Sequence, residues 1–336
     1  MLAARFHTAG QPLSLDEVPV PVPGPDEVRV RVRAAGVCGT ELHFTEGLYA
    51  PSTVPMTLGH EAAGTVDAIG SDVTGWAEGD RVAVFYYLFC GSCRWCLRGR
   101  QNLCLTPRGV LAFAADGAFA EHVVVPAHCL VRLPDTLSFE QAAPLCCAGT
   151  TALHALTEAD VAPGEVVVVM GTGGVGLAVV QDARRRGAVV IAVSRDAARR
   201  EAALTAGAVA AVGPEDLQTA VDRLSGTQGA DVVVELAGVE ATLGLSVAVL
   251  GKRGRLVLVG YSADQLTVSP LLLVVAEQRI IASVGNTYDE LVTAVHLAST
   301  GQLLPPVVQT LPLRDVNVAL DRLRAGEAAG RIVLLP

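Results

Sequence analysis

The chain has 336 residues, of which 51% are hydrophobic and 18% are charged, and its formal net charge is −9. This length and composition predict about two domains with substantial cores and exclude a disordered or low-complexity protein. The negative charge argues against nucleic acid and anionic membrane surfaces as the main partners.

The first residues contain no apolar signal core, and no run of about 18 apolar residues suggests a membrane span. We therefore expect a cytoplasmic protein. The chain has eight cysteines. In a reducing compartment they indicate metal binding or catalysis before disulfides.

The first part of the chain is predicted to be β-rich and irregular. Residues Glu27 to Arg33 alternate between apolar and charged side chains, which predicts a strand with one solvated face. Further short strands are expected at Gly64 to Gly70, Asp80 to Tyr87 and Ala118 to Val125, between turns rich in glycine, proline and aspartate.

Two groups of metal-ligand residues fall in this part. Cys90, Cys93, Cys96 and Cys104 have the spacing of a closed, structural zinc site with four thiolates. Cys38, His60 with Glu61, and the pair Cys146 and Cys147 are scattered. Three of them would suit an open zinc site with nitrogen and sulfur ligands, but their spacing alone leaves ordinary core residues as an equal alternative.

After about residue 148 the pattern changes to alternating strands and helices, which predicts a doubly wound parallel sheet. Strands are expected at 166–170, 189–193, 231–236 and 255–260, and helices at Leu177 to Arg186 and Ala197 to Ala206. The first strand runs into a G-x-G-x-x-G turn, the signature of a dinucleotide site with its pyrophosphate at a helix N-terminus. Its residues are Gly171, Gly173, Gly174, Val175 and Gly176.

The end of the second strand predicts the form of the dinucleotide. Ser194 stands where an NAD enzyme carries an acidic residue for the ribose, and Arg195 and Arg199 could bind a 2′-phosphate. We therefore predict NADP in preference to NAD. The alternative is that Arg195 is solvated and Asp196 binds the ribose.

The last part of the chain, from about residue 285, is predicted to hold two helices and a strand. The helices are expected at Tyr288 to Thr300 and Val316 to Ala325, and the strand at Gly330 to Leu335. Pro305 and Pro306 separate the helices.

Taken together, the segments 36–43, 59–64, 143–151 and 171–176 and the four-cysteine lobe resemble the zinc-dependent medium-chain alcohol dehydrogenases over nearly the whole chain. The resemblance implies a GroES-like β-rich catalytic domain (1–147 and 285–336) and a Rossmann domain (148–284). It also implies two zinc ions per chain, a small-molecule alcohol or carbonyl substrate, and a homodimer or homotetramer.

The resemblance further implies individual roles. Cys38, His60 and Cys147 would bind the catalytic zinc, with Glu61 beside them or as an alternate ligand and Glu41 supporting His60. Thr40 would take the substrate proton and pass it through the cofactor ribose to His43. Thr151 would lie under the nicotinamide, Arg331 would pair with the pyrophosphate, and Tyr86 and Tyr49, with Phe44 nearby, would line the substrate pocket.

Several functions stay open at this point. The leading expectation is hydride transfer between an alcohol, or the aldehyde or ketone in reverse, and NAD(P). A dehydrogenase dedicated to a sugar, cyclitol or specialised metabolite is an alternative, as is a zinc-free quinone or enoyl reductase. A non-catalytic nucleotide- or redox-sensing protein is the alternative from another class.

Overall fold

The computed structural model describes residues 1–336. The chain forms two compact units: Met1–Thr150 together with Asn286–Pro336, and the intervening Thr151–Gly285. None of its helices combines the length and the apolar composition that a membrane crossing requires.

The chain contains eighteen strands and ten α-helices. The strands are β1 (Leu2–Phe6), β2 (Ser14–Glu17), β3 (Glu27–Val37), β4 (Met56–Thr57), β5 (Glu61–Ile69), β6 (Arg81–Val84), β7 (Tyr87–Leu88), β8 (Gly109–Val110), β9 (His122–Pro126), β10 (Leu130–Arg132), β11 (Val166–Met170), β12 (Val189–Val193), β13 (Ala210–Val212), β14 (Ala230–Glu235), β15 (Leu250–Leu258), β16 (Arg279–Ala282), β17 (Val307–Pro312) and β18 (Arg331–Leu335). The helices are α1 (Gly39–Thr45), α2 (Phe139–Ala142), α3 (Ala148–Glu158), α4 (Gly174–Arg185), α5 (Ala197–Ala206), α6 (Leu217–Ser225), α7 (Glu240–Ala248), α8 (Pro270–Ala276), α9 (Tyr288–Ser299) and α10 (Val316–Arg324).

The first unit is built on a seven-stranded sheet in the order β10-β6-β5-β3-β18-β17, with β9 also pairing with β3. Along β3 the side chains alternate between buried valines and more exposed arginines as far as Arg33, and Ala34 to Val37 are all buried. The strand therefore enters the interior at its end, and Cys38 follows it there. The late strand β18 lies between β3 and β17, antiparallel to β3 and parallel to β17.

The second unit is a six-stranded parallel sheet in the order β13-β12-β11-β14-β15-β16. All five residues of β11 are buried, as a central parallel strand covered on both faces requires. The strand order reverses between β11 and β14, and in such folds ligands bind beside the carboxyl ends of the strands at that point. The glycine-rich turn leaves β11 there.

Two predicted strands have different bounds in the structure. The strand expected over Asp80 to Tyr87 is two strands, β6 and β7, because Phe85 and Tyr86 are buried in succession and the alternation stops. β6 pairs with β5 and β10, whereas β7 pairs with β8. The strand expected from Ala118 begins only at His122. The preceding backbone bonds instead to Leu58 and Gly59.

Candidate active site

Four buried side chains meet in the first unit: Cys38, His60, Glu61 and Cys147. Their ligand atoms all lie within 4.8 Å of one another. Cys38 joins β3 to α1, His60 and Glu61 stand at the start of β5, and Cys147 lies just before α3. The two thiols hydrogen-bond each other, which lowers the pKa of Cys38 and raises that of Cys147.

Glu41 orients this group from the first turn of α1. Its Oε1 lies 2.8 Å from His60 Nδ1, and its Oε2 accepts a hydrogen bond of 2.8 Å from the backbone N–H of Cys38. Glu41 therefore contacts His60 as expected, and its support of a metal-bound His60 stays a prediction. Burial opposes the charged form of His60, but the Glu41 carboxylate and Cys38 outweigh it and raise the pKa of the imidazole. With Nδ1 held by Glu41, Nε2 is the nitrogen left for a metal.

Glu61 has a cationic partner at the same place. Arg331 Nη2 lies 2.7 Å from Glu61 Oε1, and both side chains are buried. Burial raises the pKa of Glu61 to about 8, against the opposing effect of the Arg331 guanidinium. Arg331 also donates to the carbonyl of Val37 at 3.3 Å and contacts Cys38 Sγ at 3.6 Å. These contacts occupy the guanidinium inside the first unit, so its expected contact with a pyrophosphate stays a prediction.

Cys146, the neighbour of Cys147, lies outside the metal-ligand group. Its thiol donates to the carbonyl of Ala62 at 3.3 Å, and burial raises its pKa to about 12. Of the two adjacent cysteines that the sequence left as candidates, only Cys147 therefore has its sulfur beside Cys38 and His60.

Aromatic rings surround His60. Tyr86 makes an edge contact with the imidazole, with ring centroids 5.2 Å apart, and Phe113 makes another at 6.3 Å. Tyr49 stacks on Phe113 at 5.8 Å. The two predicted pocket residues, Tyr86 and Tyr49, thus belong to one cluster. Phe113 contacts both His60 and Tyr49, and the local sequence pattern around residue 113 does not indicate this role.

The two residues of the expected proton relay share α1. Thr40 Oγ1 lies 3.7 Å from Cys38 Sγ. His43 is three residues further along the helix, a spacing that places side chains on the same face. The His43 ring makes an edge contact with Tyr49, with centroids 5.9 Å apart. Phe44 is fully buried and belongs to the aromatic cluster, since its ring makes edge contacts with Tyr49 at 4.7 Å and with Phe113 at 4.9 Å.

The four remaining metal-ligand cysteines form a second group. Cys93 Sγ lies 3.5 Å from that of Cys96 and 4.0 Å from that of Cys104, and the sulfurs of Cys90 and Cys96 are 3.9 Å apart. All four are free thiols. The Thr106 hydroxyl and the backbone N–H groups of Ser92 and Cys93 lower the pKa of Cys90 to about 5.

In the second unit, the glycine-rich turn has the geometry that its glycines predict. Gly171 has a φ of +101°, in the left-handed region that favours glycine. A Cβ on Gly176 would lie 2.0 Å from the carbonyl oxygen of Gly171, whereas a Cβ on Gly173 would meet nothing within 4 Å. The hydroxyl of Thr172 is buried without a hydrogen-bond partner. An open backbone and an unmatched donor at the start of α4 fit a phosphate group.

Comparisons with known proteins give matches over nearly the whole chain. A model of the alcohol dehydrogenase GroES-like domain matches residues 24–135, and a model of zinc-binding dehydrogenases matches residues 174–300. An NAD-dependent alcohol dehydrogenase of Sulfurisphaera tokodaii is 36% identical, with 100% of both chains covered. The chain belongs to the zinc-dependent medium-chain alcohol dehydrogenases. It is an oxidoreductase of the alcohol dehydrogenase type that transfers hydride with NAD(P).

Solved structures of this alcohol dehydrogenase family have the same fold. The alcohol dehydrogenase of the hyperthermophilic archaeon Aeropyrum pernix is 32% identical, with a TM-score of 0.95 and 100% of both chains covered. A cobalt- and zinc-bound thermostable alcohol dehydrogenase of Pyrobaculum aerophilum is 35% identical, with a TM-score of 0.93, covering 100% of this chain and 99% of the other. The predicted α/β class, with a GroES-like domain and a Rossmann domain, is confirmed.

Both metal-ligand groups of this dehydrogenase fit zinc. Four thiolates bound at about 2.3 Å in a tetrahedron lie about 3.8 Å from one another. The sulfur distances of 3.5, 3.9 and 4.0 Å in the four-cysteine lobe are close to that value. The other group offers two sulfurs and an imidazole nitrogen, the donor types of an open zinc site, with a carboxylate beside them.

The residues that follow β12 cap the N-terminus of α5. Asp196 is the N-cap of α5, and its Oδ1 accepts a hydrogen bond of 2.8 Å from the backbone N–H of Arg199. The Ser194 hydroxyl accepts from the backbone N–H of Asp196 at 3.2 Å, and Arg195 is exposed. The Asp196 carboxylate, which is the one acidic group next to the end of β12, is therefore engaged in capping α5. Thr151, the first residue of the second unit, is buried in α3.

Proposed function

We propose that the enzyme interconverts an apolar or aromatic alcohol with its aldehyde or ketone at a catalytic zinc ion held by Cys38, His60 and Cys147. The observation that carries this proposal is the convergence of two thiols and an imidazole, oriented by Glu41, beside a cluster of aromatic rings. The bound zinc would supply Lewis-acid polarisation of the substrate oxygen, and the bound nicotinamide would exchange hydride.

The residues of the chain have three tasks in this proposal. Glu41 holds the His60 ring and the backbone at Cys38, so two ligands keep their orientation together. Thr40 takes the proton that the substrate hydroxyl loses, and His43, one turn later on α1, passes it towards water. Tyr49, Tyr86 and Phe113 exclude water and favour apolar substituents on the substrate.

We further propose that Cys90, Cys93, Cys96 and Cys104 bind a second, structural zinc ion. The four sulfurs leave no position for a substrate, so this ion would stabilise the fold of its lobe without acting on the alcohol. Two zinc ions per chain are therefore expected.

For the cofactor, we propose that the second unit binds the dinucleotide and prefers NADP. Ser194 is uncharged, Asp196 is engaged as a helix cap, and Arg195 is exposed where it could reach a 2′-phosphate. The Sulfurisphaera relative is named NAD-dependent, so the preference depends on these residues of the present chain. Arg195→Ala should raise the KM for NADP much more than that for NAD, and an equal rise in both would refute the assignment.

We propose a homodimer or homotetramer in the cytoplasm. Leu271, Leu272, Val274 and Val275 of the short helix α8 are each at least 60% exposed, and β16 is the edge of its sheet. An apolar surface beside an open sheet edge is typical of an interface between subunits. Analytical ultracentrifugation tests the association.

The proposed cytoplasmic location is supported by the eight cysteines, which are all free and suit a reducing compartment. Cell fractionation tests that location.

The decisive experiment measures zinc per chain and turnover on one sample, with NADPH and NADH and a panel of alcohols and aldehydes. Two zinc ions with turnover are expected. Cys147→Ser should lose one zinc ion and turnover but retain nucleotide binding, and Cys146→Ser is the matched control that should keep both ions. Loss of the ion in Cys146→Ser with activity retained in Cys147→Ser would refute the ligand assignment.

A further inference from the structure

Asn286 is a fully buried amide at the point where the chain re-enters the first unit. Its Nδ2 donates to the backbone carbonyl of Cys146 and to the hydroxyl of Tyr86, each at 3.4 Å. Its Oδ1 is buried without a hydrogen-bond partner. A buried amide with an unmatched acceptor is costly, so such a group calls for a functional explanation.

The carbonyl that Asn286 binds belongs to the peptide leading into Cys147. Cys147 itself lies between a 3₁₀ turn, Ala143–Cys146, and α3, with φ of −128° and ψ of −65°, neither helical nor extended. Regular secondary structure therefore does not set its orientation. The single proton of the Thr150 hydroxyl is shared between the carbonyls of Cys146, at 3.2 Å, and Cys147, at 3.1 Å. Asn286 supplies the other donor at this peptide.

The second contact of Asn286 extends to the wall of the substrate pocket. Tyr86 makes the edge contact with His60, and its hydroxyl oxygen accepts the hydrogen bond from Asn286 Nδ2. One amide thus connects the peptide before Cys147 with a ring that packs on His60. Tyr86 and Asn286 are 200 residues apart in the chain, so the connection exists only in the folded first unit.

We propose that Asn286 is a positioning residue of the catalytic metal site, which fixes the peptide before Cys147 and the Tyr86 ring in one arrangement. The proposal rests on the function proposed above, because it requires a metal ion bound by Cys38, His60 and Cys147. Groups that orient metal ligands typically change metal affinity or activity by about 10- to 100-fold when they are removed.

The test uses the full-length protein loaded with cobalt at the catalytic group and zinc at the lobe, with Asn286→Leu as the variant. The absorption of the cobalt–thiolate bonds and the rate of cobalt loss to a chelator are measured without any substrate. We expect an altered cobalt spectrum and loss of cobalt about tenfold faster, while the lobe keeps its zinc. A second readout is kcat, which should fall more than the KM for NADP rises.

Asn317→Leu is the matched control. Its amide also bonds backbone in the first unit, to both the N–H and the carbonyl of Leu13 at 2.9 Å, but in a different part of that unit. This variant should lose stability and keep the wild-type cobalt spectrum. If Asn286→Leu fails to fold, Asn286→Ser, which is smaller and retains a polar group, takes its place.

If the wild type binds two metal ions and the folded Asn286 variant has an unchanged spectrum and release rate, the proposed role of Asn286 is overturned, while the proposed function is not. Equal loss of metal from both groups in the variant would also overturn that role, because that result indicates general loosening. A wild-type chain that binds metal only in the four-cysteine lobe would instead overturn the proposed function, and the role of Asn286 with it.

Discussion

Gly36 and Glu61 stand opposite each other on β3 and β5, and no free space separates them. A Cβ on residue 36 would lie 1.9 Å from Glu61 Oε2 and 2.8 Å from its Cδ. Gly36→Ala therefore forces the Glu61 carboxylate to move by more than 1 Å, given that a carbon and an oxygen in contact need roughly 3.2 Å. The Glu61 side chain is fully buried, so its displacement disturbs its 2.7 Å contact with Arg331.

The cost of this displacement can be worked from the two effects involved. Overpacking a buried site costs about 1–3 kcal/mol, and leaving a buried polar group without its partner costs about 1–3 kcal/mol. The two overlap, and we expect Gly36→Ala to lower the free energy of unfolding by about 3 kcal/mol. For a unit of about 200 residues this lowers the Tm by about 6–12 °C. Calorimetry or circular dichroism on the zinc-loaded protein measures the change.

A double-mutant cycle with Glu61→Ala identifies the cause. If the carboxylate is what the new methyl group meets, Gly36→Ala should cost about 1 kcal/mol or less in the Glu61→Ala background. Gly39→Ala is the control, since a Cβ there meets nothing within 4 Å. Equal losses from Gly36→Ala with and without Glu61, or no loss at all, would refute the reasoning.

Three further predictions follow from single contacts. In chelator-treated protein whose circular dichroism shows that it is still folded, iodoacetamide should modify Cys90 quickly at pH 7, because the hydrogen bonds that lower its pKa to about 5 keep it a thiolate until the pH falls through that value. Cys129, whose pKa burial raises to about 12, should resist, as peptide mass spectrometry can test. Asp196→Ala removes a helix cap and should cost about 1 kcal/mol of stability in urea unfolding, without changing the ratio of NADP to NAD turnover; a change in that ratio would mean that Asp196 binds the ribose. Glu41→Gln should weaken zinc binding at His60 by about tenfold in a chelator competition, and unchanged affinity would exclude the proposed support.

The sequence predicts most of the fold because its strongest signals are local. The run of valines in β11 and the glycine turn after it each identify an element from neighbouring residues, and α5 has the predicted bounds, Ala197–Ala206. The ends of strands are harder to predict where buried and exposed side chains no longer alternate. Between β6 and β7, the successive buried rings of Phe85 and Tyr86 end the first strand, and the second strand pairs with β8 instead of β5.

The same contrast holds for the candidate site. The resemblance identifies Cys38, His60 and Cys147 as metal ligands, whereas their spacing alone leaves ordinary core residues as an equal alternative. The supports around them depend on contacts between distant segments: Asn286 reaches Cys146 and Tyr86, and Phe113 reaches His60. No period or short motif marks such residues, because a single buried amide or ring has the same local pattern whether it packs in a core or serves a site.

The position of β18 has a consequence for how the chain is made. This strand lies inside the sheet of the first unit, between β3 and β17, and carries Arg331, the partner of Glu61. A ribosome synthesises Glu61 long before Arg331, so the nascent first unit lacks the cationic partner of Glu61 and has a gap in its sheet until almost the whole chain has emerged. The second unit, whose strands are contiguous in sequence, can fold earlier. A chain that stops before Arg331 would lack β18, the strand that lies between β3 and β17 in the first unit.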